Sequence, residues 1–250
     1  LGEYAIANKL EFVAPQAKTG KKVAVIGGGP AGLSCAYQLA LKGHAVTVFD
    51  EHEMLGGMMR YGIPGFRTPR EVLDAEIQRI VDLGVDVRLN CRIGTDVTLG
   101  DLRQDYAAVF LGMGAQSGRP LPAPGGDAPN VVTATSFLKA FNDGRLRHVG
   151  KRVVVIGGGD TSIDVATVAR HVAHDVASVS AKQGGEVTLT SVFDVNKMQA
   201  NQHEIEQALA EGIAIRGGLA PVRVVKDANG RAIALVVARC EAKFVGPRLE

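Results

Sequence analysis

The amino-acid sequence predicts an α/β fold built from two Rossmann-like dinucleotide-binding domains. Three observations predict it. An apolar strand runs straight into a glycine turn and a helix at residue 27. The same pattern returns about 130 residues later, at residue 157. Between and after these turns, short apolar runs alternate with stretches of helical periodicity, the pattern of parallel sheets flanked by helices.

The first unit opens with Val23-Ala24-Val25-Ile26, a continuous apolar run of the kind found in strands buried on both faces. It enters Gly27-Gly28-Gly29-Pro30-Ala31-Gly32, which holds G-x-G-x-x-G at 27, 29 and 32. Gly27 permits the tight turn, Gly29 lets a pyrophosphate reach the backbone, and Gly32 allows helix and strand to pack closely. A helix is predicted from Pro30 to Lys42, with Gly43 at its end. Its N-terminus offers free N–H groups and partial positive charge to phosphates. A second strand, Ala45 to Phe49, ends at Asp50, where a carboxylate accepts hydrogen bonds from a ribose diol. Glu51 stands beside it.

A helix follows at Thr68-Pro69-Arg70-Glu71, with Thr68 as the expected cap, Pro69 at the first position and Glu71 closing a capping box. Leu73, Ile77, Ile80 and Val81 share one of its faces. Gly84 ends it, Val85 to Leu89 reads as a strand, and Ala107 to Leu111 as another. The latter leads to Gly112-Met113-Gly114, where backbone can lie against a ligand. Arg119 to Pro129, rich in Pro and Gly, reads as a crossing between domains.

In the second unit the strand Val153-Val154-Val155-Ile156 leads into Gly157-Gly158-Gly159-Asp160-Thr161-Ser162. Ser162, still small, holds the third glycine position. A helix is expected to about His171, then a surface insertion from His174 to Gly185, then a strand from Val187 to Val192 with Asp194 past its end. Asn201 and Glu204 suggest a capping box opening a helix to Glu211. Val222 to Val225 and Ile233 to Val237 form a hairpin through Asp227 to Gly230.

Composition narrows the function. With 28 basic and 26 acidic residues, net charge +2 and no charge blocks, nothing points to nucleic acid or an anionic membrane. No apolar run approaches a membrane span of roughly 20 residues. Cys35 falls in a predicted helix, Cys91 and Cys240 in predicted strands, and no C-x-x-C pair exists. Reduced thiols and a cytoplasmic location are therefore expected, with no metal site. The six histidines lie in scattered contexts suited to solvent-facing or structural roles.

With these motifs in place, the chain resembles the small (beta) subunit of glutamate synthase and its relatives, which include the flavin half of dihydropyrimidine dehydrogenase. The resemblance spans about Gly2 to Val237 and is specific at Val23 to Gly32, Gly56-Gly57-Met58-Met59-Arg60-Tyr61-Gly62-Ile63-Pro64, Val109 to Ala115 and Val153 to Asp164. It implies FAD on the first site, held by Gly27, Gly29, Gly32 and Asp50, with Gly57, Met58, Arg60 and Ile63 near the flavin or its phosphates. It implies NAD(P)H on the second. The corresponding division is a linker over 1–20, a first FAD-binding part over 21–125 and an NAD(P)-binding domain over 126–250. The candidate cofactor-binding set also includes Pro30, Ala31, Glu51, Gly114, Gly157, Gly158, Gly159, Asp160, Thr161, Ser162 and Asp194.

The implied activity is transfer of a hydride between NAD(P)H and FAD, with onward transfer to iron–sulfur clusters in a preceding domain or a larger partner subunit. Hydride chemistry belongs to the cofactors, so no catalytic side chain is expected. The sequence departs from the family in three places. The cysteine-rich cluster domain that should precede Leu1 is not in it. Nor is a later Gly-Asp element that returns to the flavin, so the flavin domain is expected to be incomplete at its C-terminus. Finally, Val192 and Phe193 stand where the family has two arginines for the 2′-phosphate of NADPH, and Asp194 follows, which favours a free ribose hydroxyl. NADH is therefore an alternative to NADPH. The rival functional reading is a non-catalytic nucleotide-binding assembly module.

Overall fold

The computed structural model describes every residue except 1, 14, 16, 180–184, 243, 246, 247 and 250. The chain divides into two compact units, Leu1–Gln116 and Ser117–Glu250.

The first unit contains α1 (Gly2–Ala7), β1 (Lys22–Ile26), α2 (Pro30–Leu41), β2 (Ala45–Phe49), α3 (Met58–Tyr61), α4 (Arg70–Val81), β3 (Asp86–Arg88), α5 (Leu99–Asp105) and β4 (Ala108–Leu111). Its four strands lie in the order β3-β2-β1-β4, all parallel. β1 is central, and Val23 to Ile26 are all buried, which is why its sequence is apolar without alternation. On one side Val25, Val46 and Val48 pack with Leu33 and Ala36 of α2 and Leu73 and Ile77 of α4. On the other, Ala24, Ile26 and Phe49 pack with Leu102 of α5. Each of the larger of these side chains contributes about 2 kcal/mol of burial.

The predicted Thr68 cap is not made. Pro69 is the N-cap of α4, and no side chain caps it. Instead Arg70 reaches back with its guanidinium to the carbonyls of Ile63 (2.7 Å) and Met59 (2.9 Å), tying the preceding loop under the helix. The described residues among 1–20 carry α1 and include Phe12, which docks on the unit. Phe12 lies 4.6 Å from the Tyr37 ring, with the Arg79 guanidinium 4.2 Å over its face. Cys91 lies just beyond β3 rather than in a strand, because pairing with β2 ends at Arg88.

The second unit contains α6 (Ala134–Asn142), β5 (Arg152–Ile156), α7 (Asp160–Val179), β6 (Glu186–Thr190), α8 (Gln202–Ala210), β7 (Ala214–Arg216), β8 (Leu219–Lys226), β9 (Ala232–Arg239), and the two-residue strands β10 (Phe244–Val245) and β11 (Arg248–Leu249). β5, β6 and β7 form a parallel sheet in that order, and β8 and β9 a twisted antiparallel hairpin. Ile163, Ala166, Val168 and Ala169 of α7 pack with Leu138, Leu189, Ile205 and Ile213. α7 runs well past His171, because no glycine or proline interrupts the sequence before Gly184. The expected surface insertion is thus helical as far as Val179, and 180–184 lie outside the described residues. β6 stops at Thr190 rather than Val192, since its partner β7 is only three residues long. Cys240 lies one residue beyond β9. All three cysteines are free thiols.

The Pro- and Gly-rich stretch 119–129 packs against the β8–β9 hairpin. Val224 N–H donates to Pro124 O (2.8 Å), and Asn130 exchanges two bonds with the Ala232 backbone. Gly125 adopts φ +80°, and a Cβ there would stand 2.4 Å from Val224 O. Glycine is required at this contact.

Candidate functional site: two glycine cradles

At the end of β1 the chain turns at Gly27, φ +102°, where a Cβ would lie 2.4 Å from Gly112 O. Gly32, one turn into α2, sits so close to Gly27 O that its Cβ would be 1.8 Å away. Gly29 caps α2, whose intrahelical bonding starts with Leu33 N–H to Gly29 O, so the amides of Ala31 and Gly32 stand ahead of it. Pro30 has no N–H to offer. Opposite, the backbone of Gly57 (φ +52°) passes Gly29, and a Cβ on Gly57 would come within 2.7 Å of Gly29 Cα.

These residues open onto one pocket. Gly27, Gly29, Pro30, Ala31, Asp50, Gly57, Met58 and Gly114 all line it. Gly112, Met113, Gln116, His52 and Tyr61 complete the wall. Gly32 shapes the cradle from beneath. Arg60, Ile63 and Glu51 stand elsewhere. Arg60 is buried, and its guanidinium is committed to Leu55 O (2.6 Å) and the Asp74 carboxylate. Ile63 accepts from Arg70 through its carbonyl, and Glu51 faces Arg92 at 3.5 Å. Burial pushes the Tyr61 phenol up from its ordinary value, against the opposing effect of its bond to Met54 O (3.2 Å).

Asp50 is buried at the pocket wall. Its Oδ2 accepts from Gly28 N–H (2.6 Å) and its Oδ1 from His52 N–H (2.8 Å), with His52 Nδ1 also 2.9 Å from Oδ1. The His52 ring stacks on Tyr61 at 4.5 Å. The histidine's part here has no periodicity or motif to betray it. Only its place two residues after Asp50 could have signalled it.

The second unit repeats three backbone bonds of this construction at equivalent positions. Gly27 N–H donates to Phe49 O, and Gly157 N–H to Thr190 O. Gly56 N–H donates to Gly28 O, and Ala200 N–H to Gly158 O. Asp50 N–H donates to Arg88 O, and Ser191 N–H to Arg216 O. Ser191 therefore occupies the position in the second cradle that Asp50 occupies in the first. It is buried, a Cβ on Gly158 would meet its hydroxyl at 2.5 Å, and the hydroxyl accepts from Phe193 N–H (3.1 Å). Asp194 lies three positions further on, largely exposed and 3.6 Å from Lys197. Sequence reading passed over Ser191 because the strand was expected to continue through it. The polar pair Thr190-Ser191 inside an apolar run was the available signal.

In this cradle Gly157 turns with φ +146° and its Cβ would meet the Ser162 hydroxyl at 2.2 Å. Ser162 thus fills the third glycine position by packing on a glycine that gives way to it. Nothing lies within 4 Å of a Cβ built on Gly159, so backbone is open above the start of α7. Thr161 is exposed there, while Asp160 turns its Oδ1 to Asn201 N–H (2.8 Å). Asn201 caps α8 by accepting from His203 N–H, without the reciprocal box expected of Glu204. Among the described residues no His, Cys, Asp or Glu cluster could hold a metal ion.

Both cradles fit a diphosphate: bare glycine backbone, a helix N-terminus behind it, and space a Cβ would close. Fold and site together define a protein with two dinucleotide-binding units in tandem. The profile of the pyridine nucleotide-disulphide oxidoreductase family matches residues 21–244. The chain belongs to that family. It is 35% identical over 236 residues to the glutamate synthase [NADPH] small chain of Escherichia coli, covering 90% of this chain and 48% of that one. It is 37% identical over 221 residues to the NADPH-Fe(3+) oxidoreductase subunit beta of Geobacter sulfurreducens, covering 86% of this chain and 31% of that one. The chain thus spans about half or less of these relatives. Mycobacterium tuberculosis FprA in complex with NADPH shares the fold, with a TM-score of 0.74 at 18% identity over 92% of this chain and 66% of that one.

Proposed function

We infer that this chain is the dinucleotide-binding part of an electron-transfer oxidoreductase of the glutamate synthase small-chain type. The first unit holds FAD and the second holds NAD(P)H. The observation that carries this is the repetition of one glycine cradle, with three backbone bonds at equivalent positions, each at the mouth of a parallel sheet. FAD, when bound, supplies the centre that exchanges a hydride with the nicotinamide. The protein's part is to bind and orient. The amides of Ala31 and Gly32 meet the flavin diphosphate, Asp50 meets its ribose, and Met58 and Tyr61 exclude water from that wall. Gly159 and the start of α7 receive the nicotinamide diphosphate.

Relatives named as a small chain or a subunit beta support a larger partner subunit; onward transfer to iron–sulfur clusters, in that subunit or another domain, is the electron path the family resemblance implies. Among the described residues no helix is long and apolar enough to cross a membrane; the setting proposed for the chain is the cytoplasm. On the nicotinamide side, neither Ser191 nor Val192 nor Phe193 offers a cation to a 2′-phosphate, and the neutral Ser191 hydroxyl stands where the ribose-binding Asp50 stands in the first cradle. This supports NADH.

The test is flavin reduction in the full-length protein under anaerobic conditions. A yellow protein whose visible flavin band is bleached by NADH, and more slowly by NADPH, is the expected outcome. A colourless protein that takes up neither FAD nor a nicotinamide would instead fit a non-catalytic assembly module.

A further inference from the structure

His52 is a pocket residue that the dinucleotide motif does not include. Its ring stacks on Tyr61 and its Nδ1 stands 2.9 Å from Asp50 Oδ1. A carboxylate carries no proton to give, so Nδ1 is the donor. The backbone N–H of His52 donates to the same oxygen. A carboxylate has about four acceptor sites, two on each oxygen. The two His52 bonds fill Oδ1, and Gly28 N–H takes one site on Oδ2. One acceptor site is left, on Oδ2, at the wall of the glycine pocket.

We propose that His52 is a positioning residue of the first cradle: it locks the Asp50 carboxylate so that its one unfilled acceptor is held out to a ribose hydroxyl of the bound dinucleotide. The stack on Tyr61, itself anchored to Met54 O, fixes the ring, and the ring fixes the carboxylate. Without the imidazole N–H the carboxylate keeps only its two backbone bonds and gains an open acceptor site on Oδ1, so its orientation toward the pocket is less narrowly set. In the second cradle Ser191 takes the place of Asp50, so the lock belongs to the first site alone. The proposal rests on the reading of that site as the FAD site.

Displacement of FAD from the full-length protein, followed by flavin fluorescence, reads this site without interference from the other. The displacing probes are ADP and 2′,3′-dideoxy-ADP, which differ only in the ribose hydroxyls. The wild type should be displaced better by ADP. His52→Phe keeps a ring against Tyr61 but has no donor, and His52→Leu has neither. In both, the preference for ADP over its dideoxy analogue should fall by about tenfold, the loss expected for a hydrogen bond to a charged group. His52→Asn, whose amide places a donor near the position of Nδ1, should recover most of it. An undiminished preference in both donor-less variants would overturn the proposal. So would an equal loss for both probes in all three variants, which would mark a packing role only. A wild type that shows no preference for ADP would bring down the ribose reading of the site, and the proposal with it, before any variant is examined.

Discussion

At the scale of single residues, the two cradles use glycine for different reasons, and substitution separates them. A methyl group at Gly32 would press into Gly27 O, a backbone atom that cannot swing aside, with Val25 Cγ1 also close. Gly32→Ala should therefore lower stability by about 3 kcal/mol, visible as an earlier midpoint in chemical unfolding, with dinucleotide binding lost as a consequence. Gly159 faces open space in an ordinary backbone conformation. Gly159→Ala should unfold at the wild-type midpoint yet bind nicotinamide dinucleotide about tenfold more weakly, because the methyl occupies the path of the diphosphate. Equal stability losses in the two variants would show that Gly159 serves packing instead. The residue scale is also where sequence reading was least complete. Arg60 sits in the most family-specific stretch, but its charge is spent inside the fold on Leu55 O and Asp74. A one-dimensional motif gives a residue's place along the chain and not the direction of its side chain.

At the scale of elements, the strands and helices of the two βαβ units were legible because each has a period and a punctuation mark. The elements missed from the sequence were short: α1, α3, α5, α6, β7, β10 and β11. Of these α5 is the best defined locally. Thr98 accepts from Asp101 N–H, and the Asp101 carboxylate accepts from Thr98 N–H and its hydroxyl, a complete capping box. The Thr98 hydroxyl, and then its backbone amide, hold the Asp101 carboxyl below its usual value. Thr98→Ala should cost about 1 kcal/mol in urea unfolding at neutral pH. A depressed carboxylate stabilises only above its unfolded pKa, so the gap between wild type and variant should narrow as pH falls through the folded value. A gap that stays constant into acid would assign the effect to the hydroxyl alone. Leu102 of this helix covers Ala24, Ile26 and Phe49, so the cap supports the back of the first cradle.

At the scale of the whole molecule, each unit owns a hydrophobic core and a complete glycine cradle. Residues 117–250, expressed alone, should unfold cooperatively and still bind a nicotinamide dinucleotide, as measured by calorimetry. Failure to fold would mean that the second core depends on residues of the first unit. Strands β4 and β5 each lie at a sheet edge, with Leu111 55% and Val154 49% exposed. Their apolar sequences read as fully buried strands, but it is the interior strands β1, β2 and β6 that have neighbours on both edges and are largely buried.

The sequence by itself determined the fold class, the two glycine turns, the order of the main strands and the family, because these follow from local periodicity and from conformations that only small residues adopt. Tertiary structure decided which groups share a pocket. It turned Arg60 inward, brought His52 and Tyr61 beside Asp50, and set Ser191 rather than Asp194 at the mouth of β6. Those outcomes depend on strand register and side-chain direction, and both are fixed only when distant segments pack and fill their hydrogen bonds against one another.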